Sequence, residues 1–158
     1  MIRRRRALPG FASSLFGEKM KFIGKLFMSF YVWMYRLTGG KFGGSMGTFK
    51  VLILTTKGRK SGKIRSNPVG YFERDDGYFI VASNGGAAKN PAWYHNIRGN
   101  PNDVIIRVND KKLKVKPEII LGEPRKPLYA WIASIAPNFG DYEKRTTREI
   151  PLVFLKPR

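Results

Sequence analysis

Residues 50–83 run KVLILTTKGRKSGKIRSNPVGYFERDDGYFIVAS. Lys50–Thr56 (KVLILTT) is an apolar strand. Arg65–Glu73 is a second strand, interrupted by Pro68 and Gly70. Asp75-Asp76-Gly77 is a tight turn, and Gly77–Ser83 (GYFIVAS) is the third strand. Downstream, Asn90-Pro91 reads as a cap and first helical residue, opening a short helix to about Arg98. Val104–Val108 and Lys111–Lys116 flank Asn109-Asp110 as a hairpin. Pro127–Ile135 is a short helix, and Ile150–Leu155 is a closing strand. There is no repeat and no second domain. Short strands with turns between them predict a mainly β (α+β) domain, a small β-barrel with peripheral helices, over residues 39–158. Gly39–Gly47 (GGKFGGSMG) is its flexible entry.

Upstream, residues 1–13 form a basic, flexible N-terminus that begins MIRRRR. Residues 14–38 predict an amphipathic helix. Phe16, Met20, Ile23, Phe27, Phe30, Tyr31 and Met34 recur at helical spacing, and Glu18, Lys21, Lys25, Ser29 and Arg36 form a narrow polar stripe. The longest apolar run, Leu26–Tyr35, is short for a transmembrane span and is interrupted by Ser29. A signal peptide would need a small-residue cleavage site, for which Thr38-Gly39-Gly40 is a poor substitute. Two readings remain: a helix lying in a membrane interface, partly covering the site, and a helix that caps the domain's own core.

The chain has 158 residues, 42% of them hydrophobic, enough for one packed domain. Lys plus Arg outnumber Asp plus Glu by 30 to 11, a formal charge of +19. That excess implies an anionic partner. Non-specific binding to nucleic acid at low salt is expected, but no nucleic-acid module is recognisable. The absence of Cys excludes disulfides, thiolate nucleophiles and zinc–thiolate sites, and the single His95 excludes a multi-histidine metal centre. No metal site is expected. An enzyme of this composition would borrow an organic cofactor.

Two stretches carry the chemistry. Lys57–Arg65 (KGRKSGKIR) has five basic residues, two glycines and a serine between two strands. Such a loop can hold phosphate or carboxylate by charge and by backbone donors; the plainer reading is an exposed basic turn. Ala82–Asn96 (ASNGGAAKNPAWYHN) places glycines between a strand end and a helix start, where a ligand can approach the backbone. Lys89 precedes the helix N-terminus, which also favours anions. Trp93 and Tyr94 serve as well in a core as in a pocket, and His95 reads as a neutral helix residue. In Ala136–Arg148 (APNFGDYEKRTTR), Phe139 and Tyr142 can share a face, either toward a flat apolar substrate or in the core.

GRKSGKxR followed by NPV, then VASNGGxxKNPxWYHN, then IP before the last strand, resembles the deazaflavin-dependent nitroreductase family over about residues 30–157. Trp33-Met34-Tyr35-Arg36 is similar to its membrane-associated branch, whose members reduce quinones and nitroimidazoles. The resemblance implies a split β-barrel of the FMN-binding type that uses coenzyme F420, a hydride carrier with a phosphate and an oligoglutamate tail. It implies that Arg59, Lys60, Ser61 and Gly62 hold the tail, helped by Lys57 and Arg65. Asn67 and Pro68 would line the deazaflavin. Ala82, Ser83, Asn84, Gly85 and Gly86 would approach the ring and ribityl chain, and Lys89, Trp93 and Asn96 would close the pocket. Ser83 and Tyr142 are the implied catalytic hydroxyls; Trp33, Phe139 and Tyr142 are the implied substrate contacts. The expected protein is an F420H2-dependent reductase of a quinone or nitroaromatic acceptor. It would be cytoplasmic, on the inner face of the cell membrane and bound to its anionic surface. Alternatives are a split barrel using FMN and a non-catalytic relative that binds a lipid or fatty acid.

Overall fold

The structure, a computed structural model, describes residues 11–158; the N-terminal arginines lie outside the described residues. In chain order the elements are α1 (Phe11–Thr38), β1 (Ser45–Met46), β2 (Phe49–Lys57), β3 (Ile64–Arg74), β4 (Gly77–Val81), α2 (Ala92–Gly99), β5 (Ile105–Val108), β6 (Lys111–Ile120), α3 (Arg125–Ile135), α4 (Asn138–Lys144) and β7 (Leu152–Pro157). Six strands close an antiparallel barrel in the order β2-β3-β4-β7-β6-β5. Pairing of Ile53 with Arg107 and Thr55 with Ile105 joins its ends, while β1 adds two residues beside the start of β2. The sequence expectation of a split-barrel, mainly β domain holds.

The apolar run in β2 has a physical reason. Leu52 and Leu54 point into the barrel with Ile80, Ile106, Val153 and Leu155. Ile53 points outward, where Val32 and Tyr35 of α1 cover it. A strand buried on both faces loses the usual polar alternation. On the outer wall of β3, β4 and β7, Phe72, Phe79 and Leu152 pack under Tyr129, Ile132 and Phe139 of α3 and α4. The Tyr129 hydroxyl donates to the Phe139 carbonyl at 2.8 Å, fixing α4 on α3. No helix among the described residues is long and apolar enough to cross a membrane.

Only Tyr71–Arg74 of β3 pairs with β4, so the first half of β3 has β2 as its one neighbour. Pro68, which lacks an N–H, falls in this unpaired edge. Here the first half of β3 runs beyond β4, and α1 packs against it.

The last turns of α1 are fastened by Tyr35. Its hydroxyl, 0% exposed, donates to the Val51 carbonyl at 2.9 Å and accepts from the Asn109 amide at 2.9 Å. Tyr35→Phe leaves the buried Val51 carbonyl and the partly buried Asn109 N–H without that partner. We expect a loss of about 2 kcal/mol in urea unfolding with an unchanged m value.

The structure extends β6 to Ile120 and shows a helix, α4, within the stretch read as an irregular tail. It also starts α2 one residue later than the sequence implied. Pro91 is its cap, and the Asn90 side chain makes no capping bond.

Candidate functional site

The Lys57–Arg65 loop folds on itself. Gly58 N–H donates to the Lys63 carbonyl and Gly62 N–H to the Gly58 carbonyl, both at 2.8 Å, with Gly62 at φ +66°. The Ser61 hydroxyl accepts from the Lys63 amide at 3.3 Å. The end of α2 then pins the loop to the barrel. Asn96 accepts from the Arg59 amide and donates to the Thr56 hydroxyl, each at 3.2 Å. Asn100 donates to the Lys57 carbonyl at 3.2 Å. A Cβ at Gly99 would come within 2.8 Å of Arg59 Cβ, so the helix end can meet the loop only because it is glycine. These bonds hold the backbone and leave side chains free. Among the described residues Arg59, Lys60, Lys63 and Arg65 make no ion pair, whereas Lys57 pairs with Asp103 at 3.7 Å.

Between this loop, the unpaired edge of β3 and the N-terminus of α2 lies a cleft of about 800 Å³. Arg59, Lys60, Ser61 and Arg65 form its basic end; Asn67, Pro68, Asn84, Trp93 and Asn96 form its walls. All nine were singled out in the sequence. Pro91, Ala92, His95 and Asn90 join them, with Lys25 and Met28 overhanging from α1. Sharing Lys25, Met28, Arg65 and Asn67 with this cleft is a second pocket of about 480 Å³ between α1 and β3. Val32, Trp33 and Ile64 give it apolar walls, and Arg36 donates to the Ser66 hydroxyl at 3.0 Å at its edge.

Other residues singled out in the sequence stand elsewhere. Lys57, Gly62, Ala82, Ser83, Gly85, Gly86 and Lys89 do not line the cleft. Ala82 and Ser83 are buried beneath it, where the chain leaves β4. Asn84, Gly85 and Gly86 follow as a single 3-10 turn, with φ of +49°, +64° and +80°. Phe139 is 5% exposed in the outer core, edge-on to Phe49 and Phe72. Tyr142 packs edge-on to Phe139, beneath the Arg145 guanidinium. The structure therefore gathers the basic loop, Asn67, Pro68, Asn84, Trp93 and Asn96 into one cleft and Trp33 into the pocket beside it; it does not bring Phe139 or Tyr142 to either.

Sequence reasoning missed Met28, Val32 and Ile64 in the second pocket. The spacing of Lys25, Met28, Val32 and Arg36 on one helical face was the available signal. It also missed Arg148, whose guanidinium is turned onto the Ala82–Asn90 loop. Burial pulls that guanidinium below its ordinary pKa; burial also holds the nearby Tyr129 hydroxyl protonated, raised to about 12.

Residues 28–157 match the family model described as F420H(2)-dependent quinone reductase. An F420H(2)-dependent quinone reductase of Mycobacterium tuberculosis is 37% identical over 131 residues, 79% of this chain and 86% of the relative. Among solved structures, an F420-H2 dependent reductase is similar with a TM-score of 0.60 and 34% identity, over 67% of this chain and 93% of that one. A haem storage protein of Vibrio cholerae aligns with a TM-score of 0.54 at 13% identity, over 80% of this chain and 87% of that one, and shares the fold alone.

Proposed function

The chain belongs to the family of F420H2-dependent quinone reductases and is an oxidoreductase of that kind using coenzyme F420, and we propose that the 800 Å³ cleft is its cofactor site and the pocket beneath α1 its acceptor site. The observation that carries this reading is the cleft's polarity. Its basic end is built on a backbone fixed by Asn96, with side chains that no acid neutralises among the described residues. Its other walls combine the flat faces of Pro68 and Trp93 with the side-chain amides of Asn67, Asn84 and Asn96. A group with an anionic tail and a planar ring fits both ends. FMN has one phosphate and would leave most of the cations without a partner.

Arg59, Lys60 and Arg65 would hold the phosphate and glutamates, with Ser61 as a neutral donor beside them. Pro68 and Trp93 would flank the ring, and Asn67, Asn84 and Asn96 would meet its polar edges. When bound, the reduced cofactor supplies a hydride. The protein's part is to position the acceptor, exclude water and keep charge complementary. Met28, Val32, Trp33 and Ile64 offer a quinone a flat, largely apolar berth. Arg36 and Lys25 stand at its rim, where negative charge develops on the quinone oxygen as it is reduced. Ser83, buried beside Asn84 of the cleft wall, and Tyr142, packed on Phe139, are the two hydroxyls proposed for the proton.

The finer reading is that the quinone arrives from a lipid surface. Met20, Phe22, Ile23, Leu26, Phe27, Phe30 and Trp33 of α1 are all exposed, Phe27 at 69%. A helix with that face is suited to the boundary between headgroups and acyl chains, with basic residues meeting anionic headgroups. The acceptor pocket opens beside it. Nitroaromatics share the flat apolar shape and are a second acceptor class for the same pocket.

Titration with F420 and with FMN, read by cofactor fluorescence, tests the cofactor site. Micromolar F420 binding with FMN at least about tenfold weaker is expected; a preference for FMN would overturn it. Reduction of a menaquinone analogue by F420H2 tests the acceptor. Replacing Phe22, Ile23, Phe27 and Phe30 together with serine should abolish co-sedimentation with anionic vesicles while leaving F420 affinity unchanged. Retained co-sedimentation would overturn the interfacial reading.

A further inference from the structure

The Ala82–Asn90 loop is bent through three consecutive left-handed residues, Asn84, Gly85 and Gly86. One of them carries a side chain, and such a conformation persists only where surroundings over-determine it. Within the loop, Gly86 N–H donates to the Ser83 carbonyl at 2.9 Å and the Asn84 side-chain Nδ2 donates to the Lys89 carbonyl at 3.0 Å. Ala82 N–H ties the start of the loop to the Pro151 carbonyl at 2.9 Å, and Arg148, just before β7, reaches the rest. Its Nε donates to the Ala87 carbonyl at 2.9 Å, one terminal nitrogen donates to Asn90 Oδ1 at 2.6 Å, and the other donates to the Ala82 and Ser83 carbonyls at 3.1 and 2.8 Å. One side chain thus joins the start, middle and end of the loop. The two cleft-lining residues of that loop, Asn84 and Asn90, are each set by it: Asn90 directly, Asn84 through the fixed carbonyl before it.

We propose that Arg148 is the positioning residue for the cofactor cleft: it touches no ligand, and it holds the Ala82–Asn90 loop in the left-handed form that presents Asn84 and Asn90. Five N–H donors in a rigid planar fork can serve four separated acceptors, which a lysine ammonium on a flexible stem cannot do with the same geometry. The bonds are charge-assisted and partly buried, so their loss falls on the loop rather than on solvent. The inference rests on the cleft being the F420 site, but its first effect is on the protein without cofactor.

The test uses full-length Arg148→Met and Arg148→Lys, measured for hydrogen exchange, thermal unfolding and F420 affinity. In the cofactor-free protein, amides 84–89 of Arg148→Met should exchange at least about tenfold faster while β2 and β7 keep their protection. The F420 Kd should rise about thirtyfold, with Arg148→Lys intermediate, and millimolar guanidinium should restore a large part of the loss in Arg148→Met. An unchanged Kd in Arg148→Met would overturn the proposal. So would faster exchange spread over the whole barrel without guanidinium rescue, which marks a general stability role. If Arg148→Met does not fold, Arg148→Lys carries the same readouts, and wild-type exchange and affinity there would overturn it. Failure of the wild-type protein to bind F420 would refute the cofactor reading instead, and the exchange measurement would still judge the loop.

Discussion

Replacing Arg59 and Lys60 together with alanine is expected to weaken F420 binding about a hundredfold while leaving the unfolding transition within ~0.5 kcal/mol of wild type. The loop's shape does not depend on these two side chains. It is set by the Gly58–Lys63 and Gly62–Gly58 backbone bonds and by Asn96, which holds the Arg59 amide rather than its guanidinium. The cations themselves are unpaired among the described residues, so removing them orphans no buried partner. What disappears is two charge-assisted contacts to an anionic tail. Part of the attraction is long-range, so the wild-type affinity should fall with added salt, and the variant's should fall less steeply. Titration of both proteins at two ionic strengths checks this. An affinity unchanged by the double substitution would mean that the tail lies elsewhere.

Gly86→Ala is expected to cost about 3 kcal/mol of stability and to abolish measurable F420 binding. Gly86 sits at φ +80°, where an alanine costs about 1–2 kcal/mol. The added Cβ would also lie 2.8 Å from both Arg145 Cβ and the Tyr142 carbonyl oxygen, backbone and near-backbone atoms that cannot swing away. Overpacking of that kind adds about 1–3 kcal/mol. The loop can relieve both strains only by moving off α4, which carries Asn84 out of the cleft wall. Gly85→Ala separates the two causes. It has the same backbone strain, at φ +64°, but open space around the added carbon. It should lose only the conformational share of the stability, as urea unfolding of the pair would show.

Most of the barrel was legible because its strands are defined locally. The Arg74–Gly77 hairpin has Asp75 and Asp76 both at φ +56°, the left-handed pair that a two-residue turn demands and that aspartate tolerates. The basic loop was legible for the same reason: its glycines, serine and cations are consecutive. What could not be read depends on meetings between distant segments. Asn90 followed by Pro91 looks like a helix cap until Arg148, far along the chain, claims its oxygen. Whether Phe139 faces a substrate or the core is decided only by Phe49 and Phe72, which receive it. Nothing in EKRTTREIP says which of its arginines turns inward, since the distinction is made by the carbonyls of residues 82, 83 and 87. The pocket between α1 and β3 is half legible: the family resemblance points to Trp33, whereas Met28 and Val32 on the same helix show only in the fold.

The way the barrel closes has a consequence for how the chain becomes a protein. β2 finds β3 across a short loop, but its other edge waits for β5, and β4 waits for β7, the last strand made. Such non-local pairings slow folding to about the millisecond-to-second range. During synthesis the β2–β3–β4 meander follows α1 and β1, with β4 and most of β2 unpaired on their outer edges and the inward Leu52 and Leu54 uncovered. That species is prone to edge-to-edge association. The Lys57–Arg65 loop, rich in cations, flanks it and should keep copies apart. Arg148 reaches its loop only as β7 is appended. A ribosome that stalls before the final dozen residues would therefore leave an open sheet, with β4 and β6 lacking β7 and the Ala82–Asn90 loop lacking Arg148, a natural substrate for chaperones and proteases.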